Sequence, residues 1–130
     1  MVTIYLAGPI KNAVKAGRPW RNRIQAAFLD TEFWNPLDEV DAEVDTTNPA
    51  EIVTADKRGI RESDAVLVGY TDKQQIGTPM EVMFAYERDK PVAIWLRDDT
   101  HQEELSAWYR HHCFVSENRA DCVDYLKEQL

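Results

Sequence analysis

The chain has 130 residues, 44% apolar and 29% charged, a composition that excludes a disordered or fibrous chain and fits one domain over residues 1–130. A formal net charge of −8 excludes a duplex nucleic-acid binder, which needs a basic stripe, but allows a free nucleoside or nucleotide in a local pocket. No apolar run approaches the roughly 20 residues that span a membrane. The first ten residues lack a basic leader, and Cys113 and Cys122 read as reduced thiols, so a cytoplasmic protein is expected.

Residues 2–7 form the first strand candidate, short, β-rich and nearly unbroken by polar residues. Alternation puts Thr3 and Tyr5 on one face of it and Ile4 and Leu6 on the other. A Gly8-Pro9 turn follows. A helix is expected over 18–29, with Trp20, Ile24, Ala27 and Phe28 at helical spacing, then a short strand over 32–34. Asn48 and Pro49 read as N-cap and first position of a helix over 49–62. A second buried strand follows over 64–70, and a loop carrying Gly77 leads to a helix over 78–88 that opens on Thr78 and Pro79. The remaining elements are a strand over 91–96, a helix over 102–109, a strand over 113–115 and a helix over 119–129.

Strands that are apolar on both faces and alternate with helices imply right-handed βαβ units. The expected fold is α/β, a flavodoxin-like doubly wound sheet of about five parallel strands in the order 2-1-3-4-5. Its switch point lies between strands 1 and 3, where ligands bind beyond the carboxyl ends. Residues 8–12 and 71–80 should meet there.

Glu81 is the leading candidate for chemistry. Near the start of a helix, backbone N–H groups and the helix dipole favour an ionised carboxylate, the form a glycosyl-accepting nucleophile needs. The same residues, Thr78-Pro-Met-Glu81, fit a capping box, so a purely structural role competes; the place of the loop at the switch point favours chemistry. Asp56 shares a helical face with Ile52 and Ile60. A carboxylate on an apolar stripe either borders a polar cleft or pairs with a base such as Arg58 or Arg61. Tyr5 is either a core residue with its hydroxyl at the rim or a hydrogen-bond donor to a carboxylate. Gly8 admits a ligand or simply permits the turn. Trp20 reads as a core or rim residue, or as a face on which a base stacks. His111, His112 and Cys113 are consecutive and cannot easily converge on one metal ion. No Walker loop or dinucleotide fingerprint is present.

Three segments together, Ile4-Tyr5-Leu6-Ala7-Gly8-Pro9-Ile10, Asp56-x-x-x-Ile60-x-x-Ser63-Asp64 and Gly77-x-x-x-Glu81, resemble the nucleoside 2-deoxyribosyltransferases and the related deoxynucleoside 5′-monophosphate N-glycosidases. Order, spacing and strand–loop–helix context agree over about residues 2–96, and the tail matches poorly. The resemblance implies a homodimer or higher homo-oligomer whose sites are completed by a neighbouring subunit, with nucleoside or nucleotide and free nucleobase as small-molecule partners and no metal or organic cofactor. It implies Glu81 as nucleophile, Asp56 at the base and Tyr5 orienting Glu81. Gly8, Pro9, Ile10, Lys11, Trp20, Gln75, Gly77, Thr78 and Met80 would then border the substrate. Gln75 stands where some transferases carry an Asp, which leaves base preference open. Lys11 falls where the monophosphate glycosidases have a basic phosphate ligand.

The leading expectation is a retaining transferase passing deoxyribose from one base to another through Glu81. The alternative enzyme is a hydrolase acting on a 5′-monophosphate. A rival of another class is a non-catalytic nucleotide-binding sensor on the same fold. A phospho-receiver is disfavoured, because strand 1 ends in Ala7-Gly8-Pro9 and strand 3 in Gly69-Tyr70, without the acidic residues that role requires.

Overall fold

The structure, a computed structural model, describes residues 1–8, 14–39, 48–71 and 76–130. The five strands are β1 (Thr3–Ala7), β2 (Glu32–Trp34), β3 (Ala65–Tyr70), β4 (Val92–Leu96) and β5 (Phe114–Ser116). All pair in parallel, in the expected order β2-β1-β3-β4-β5. The helices are α1 (Val14–Ala27), α2 (Pro36–Glu39), α3 (Pro49–Glu62), α4 (Gly77–Tyr86), α5 (Ala107–His112) and α6 (Arg119–Glu128).

The alternation read along strand 1 sorts the core into two layers. Tyr5 and Ala7 point with Val66, Val68 and Ile94 toward Ile60 of α3 and Val82 and Ala85 of α4. Ile4 and Leu6 point with Leu67 and Ala93 toward Trp20 and Ile24 of α1 and Cys122, Val123 and Leu126 of α6. Each Val, Leu or Ile side chain removed from water this way contributes roughly 1.5–3 kcal/mol, and burial on both faces is what keeps these strands central.

Several boundaries differ from the sequence reading. α1 starts at Val14, a turn before the Gly17–Pro19 segment expected to open it, and Pro19 lies inside the helix. Proline costs one backbone bond there, while burial of Trp20 and Ile24 holds the helix to the sheet. The helix expected over 102–109 is split into a 3-10 turn (Gln102–Glu104) and α5. Leu105 and Ser106 are extended, and the Ser106 hydroxyl accepts from the Tyr109 N–H at 3.3 Å, so a cap interrupts what had read as one helix. At α3 the reading holds: Asn48 accepts from the Glu51 N–H at 3.2 Å, and Pro49 occupies the first turn.

Close packing behind the switch point depends on two glycines. A Cβ on Gly69 would come within 2.7 Å of the Trp20 ring, and one on Gly8 within 3.1 Å of it. The indole lies flush against the ends of β1 and β3 because neither residue has a side chain.

Candidate active site

Tyr5 lies in the middle of β1 and Tyr70 ends β3, on the face of the sheet against which α3 and α4 pack. A cleft of about 520 Å³ opens between α3 and α4. Asp56, Ile60, Gly77, Met80 and Glu81 line it, with Lys57 and Arg88 further along. The Tyr5 hydroxyl donates to Glu81 Oε2 at 2.5 Å, linking a central strand to the facing helix.

Glu81 does not serve as a helix cap. α4 begins at Gly77, with Ile76 in the capping position and no side-chain cap bond. Thr78 is therefore inside the helix and 5% exposed, and Glu81 is the fifth helical residue. That corrects both the expected start at Thr78 and the capping box. It also weakens the argument from the helix dipole, which acts within the first turn. What governs Glu81 is burial, which with the negative charge of Asp56 pushes its pKa up to about 8, against the opposing Tyr5 hydrogen bond and the charge of Arg21.

Asp56 is half-buried, between the half-buried Ile52 and the buried Ile60 on the shared face. Its Oδ1 is buried and has no hydrogen-bond partner among the described residues. Arg58 pairs instead with Glu62 at 3.5 Å, and Arg61 lies over the Phe84 ring, so neither takes the ion-pair role considered for it. Burial raises Asp56 to about 6, with the Tyr5 hydroxyl and Arg21 pulling the other way. Two carboxyls raised together near neutrality behave as a pair with apparent values in common. The phenol of Tyr5 is raised above its ordinary value, first by burial and then by both carboxylates, so it remains a donor.

Tyr5, Asp56 and Glu81 are thus brought together, and Gly77 and Met80 share their cleft. Gly8 is buried at the end of β1. Trp20 follows the core reading and not the alternative of a face for a base. It is 1% exposed, packed against Gly8 and Gly69 and edge-on to Trp95, so it supports the floor from behind and offers no open ring. Pro9, Ile10, Lys11 and Gln75 lie outside the described residues.

Arg21 escaped the sequence reading. It is fully buried, and its charge acts on Tyr5, Glu81 and Asp56. The signal was available: Arg21, Ile24 and Phe28 fall three and four apart, so Arg21 sits on an apolar helical stripe as Asp56 does. Tyr109 of α5, half-buried against Tyr70, also feels the charge of Glu81.

A doubly wound sheet with paired carboxyls at its switch point has the make-up of an enzyme of glycosyl transfer, a pentosyltransferase or an N-glycoside hydrolase. The family model described as nucleoside 2-deoxyribosyltransferase matches residues 4–122, and the chain belongs to that family. By sequence, no individual curated protein matches significantly. Among solved structures, the fold is similar to a 2-deoxyribosyltransferase from Bacillus psychrosaccharolyticus, with a TM-score of 0.73 and 18% identity over 92% of this chain and 89% of that one. It is similar to the 2-desoxiribosyltransferase of Leishmania mexicana at a TM-score of 0.68 and 18% identity, covering 98% of each chain. A CMP N-glycosidase of Clostridium botulinum follows at 0.58 and 17% identity, over 98% of this chain and 99% of that one. At these identities the likeness is one of fold. No helix among the described residues is long and apolar enough to cross a membrane.

Proposed function

We propose that the chain is a nucleoside 2-deoxyribosyltransferase working through a glycosyl-Glu81 intermediate. The observation that carries this reading is the 2.5 Å hydrogen bond from Tyr5 to Glu81 in a cleft that Asp56 shares. A carboxylate oxygen of Glu81 bonds to C1′ of a 2′-deoxynucleoside as the bond from C1′ to the base nitrogen breaks. The electron pair leaves with the base, which takes a proton or a hydrogen bond from Asp56. A second base then attacks C1′, frees the Glu81 carboxylate and returns the proton to Asp56. Two displacements replace one difficult step and retain the configuration at C1′. Tyr5 aims one oxygen of Glu81 and leaves the other for the sugar.

A second reading is favoured by Lys57 and Arg88, which line the same cleft and supply the positive charge a 5′-phosphate needs. In it, water accepts the sugar and the substrate is a 2′-deoxynucleoside 5′-monophosphate. The deciding experiment incubates the protein with deoxynucleosides and their monophosphates, with and without free adenine or cytosine, and separates the products. A new deoxynucleoside should appear faster than free deoxyribose, because transfer prevails where the vacated pocket holds a base and keeps water misaligned. Release of deoxyribose 5-phosphate from monophosphates alone, lost on Lys11→Ala, would replace the transferase with the hydrolase. Neither product from any substrate would leave the non-catalytic sensor.

We further read the chain as a homo-oligomer. Val53 and Met80, 47% and 67% exposed, stand at the cleft, where a neighbouring subunit would cover them. Light scattering of an active sample at micromolar concentration should give at least twice the mass of one chain; a particle of one chain's mass would remove this reading.

A further inference from the structure

Three cations meet on one aromatic ring at the far end of the cleft. Phe84 stands three residues after Glu81 on α4, and Lys57 follows Asp56 on α3, so this end begins one helical turn from the two carboxyls. The Arg88 guanidinium carbon lies 3.5 Å from the centre of the Phe84 ring, and its Nη1 donates to the Phe84 carbonyl at 2.9 Å. That bond fixes the guanidinium on the ring and leaves its other N–H groups open. The Lys57 ammonium and the Arg61 guanidinium carbon reach the same ring, each at 5.3 Å. Each cation is attracted to the ring, but three like charges gathered there repel one another unless an anion joins them. Glu62, the acid nearest in sequence on α3, is taken by Arg58 at 3.5 Å. Glu87 lines the same end of the cleft, yet among the described residues no carboxylate stands at ion-pair distance from Lys57, Arg61 or Arg88. In a chain of net charge −8 this is a local field of opposite sign.

We propose that Lys57, Arg61 and Arg88, gathered on the Phe84 ring, form a binding site for a phosphoryl group, either that of free orthophosphate or that of a nucleotide whose sugar lies at Glu81. A phosphoryl group carries up to two charges and oxygens on three sides, so it joins several cations at once, and the planar fork of an arginine matches a pair of those oxygens. Lys57 and Arg88 line the cleft and would touch the ligand; Arg61, one turn beyond Lys57 on α3, adds its charge from the side. The nucleotide source rests on reading Glu81 as the group that meets the sugar; the orthophosphate source does not.

The test is a calorimetric titration at low ionic strength in a Glu81→Gln background, where nothing is consumed, so the result is independent of which reaction is catalysed. Sodium orthophosphate should bind, and Arg88→Gln should weaken it by roughly tenfold or more. Arg58→Gln removes a neighbouring cation that Glu62 already holds, and should change binding by less than about twofold. If the source is a nucleotide, 2′-deoxycytidine 5′-monophosphate should bind more tightly than 2′-deoxycytidine, and Arg88→Gln should erase the difference. Orthophosphate binding that needs Arg88, with no advantage for the monophosphate, supports the site and identifies free phosphate as its ligand. Absence of both orthophosphate binding and a monophosphate advantage would overturn the proposal. So would equal losses in Arg58→Gln and Arg88→Gln, which mark a diffuse field and no site. The substituted positions are exposed, and thermal unfolding checks each variant; Lys57→Met decides in place of Arg88→Gln if the latter does not fold. Turnover is measured separately: phosphate bound through Arg88 in a protein with no N-glycosidic activity would leave the site standing and remove the reaction.

Discussion

Glu81→Gln and Glu81→Ala are expected to lower turnover of deoxynucleosides by roughly 10³-fold or more, since the loss of a covalent nucleophile removes the route itself. Both variants should still fold. Glu81 caps nothing, so the loss of about 1 kcal/mol that accompanies a lost helix cap should not appear. Its folded pKa, about 8, lies above the ordinary 4.5, so the wild-type protein loses stability as pH rises from about 4.5 through about 8. Glu81→Gln removes that loss and should melt no lower than wild type at pH 8, which thermal unfolding at pH 6 and pH 8 would check. Near-wild-type turnover by either purified variant would exclude Glu81 as the nucleophile. For the wild type, a bell-shaped rate profile is expected. With apparent values of about 6 and 8, the pair holds two protons below that window, one within it and none above it. The proposed first step needs the charge on Glu81 and the proton on Asp56, the reverse of the order in which burial ranks the two, so the reactive form is the minor arrangement of the singly protonated pair, and activity should fall on both sides of the window.

Asp56→Asn should lower turnover by about 10²–10⁴-fold, the usual worth of a positioned general acid. Asp56 Oδ1 is buried without a hydrogen-bond partner among the described residues, a costly arrangement for a group whose only task is to hold the fold. The amide keeps the shape, cannot deliver a proton, and should leave the melting temperature close to wild type. Kinetics and thermal unfolding on one preparation settle the matter. Full activity with a clearly lower melting temperature would make Asp56 a structural carboxylate.

Much of this architecture was legible because burial on both faces leaves an unambiguous trace. β1, β3 and β4 are short apolar runs, and their alternation with helices fixed the strand order. Asp56 was legible for the converse reason, as a charge on an apolar stripe. Glu81 is legible from the place of its loop at the switch point, whereas its place within the helix is not. Thr78-Pro-Met-Glu81 satisfies the pattern of a capping box, but whether Thr78 caps depends on where the preceding loop delivers the chain, which is a tertiary matter. Arg21 carries the same signal as Asp56, a charge on an apolar helical stripe beside Trp20. The extended break at Leu105 and Ser106 was lost within a helical pattern. The positive φ angles of Asp98 and Asp99, 50° and 59°, set a tight turn after β4 that no glycine announces.

The sheet ends on its two shortest strands, β2 and β5, with three residues each. An outer strand with free N–H and C=O groups is a template for pairing with another chain, and brevity is one of the ways in which proteins blunt it. Here each margin presents only a few such groups before the chain turns into a loop or helix. Copies of the protein therefore have little means of continuing the sheet from one molecule into the next. The homo-oligomer proposed above would then have to form through helical surfaces, where side chains rather than backbone decide the partner, and short margins disfavour fibrous stacking.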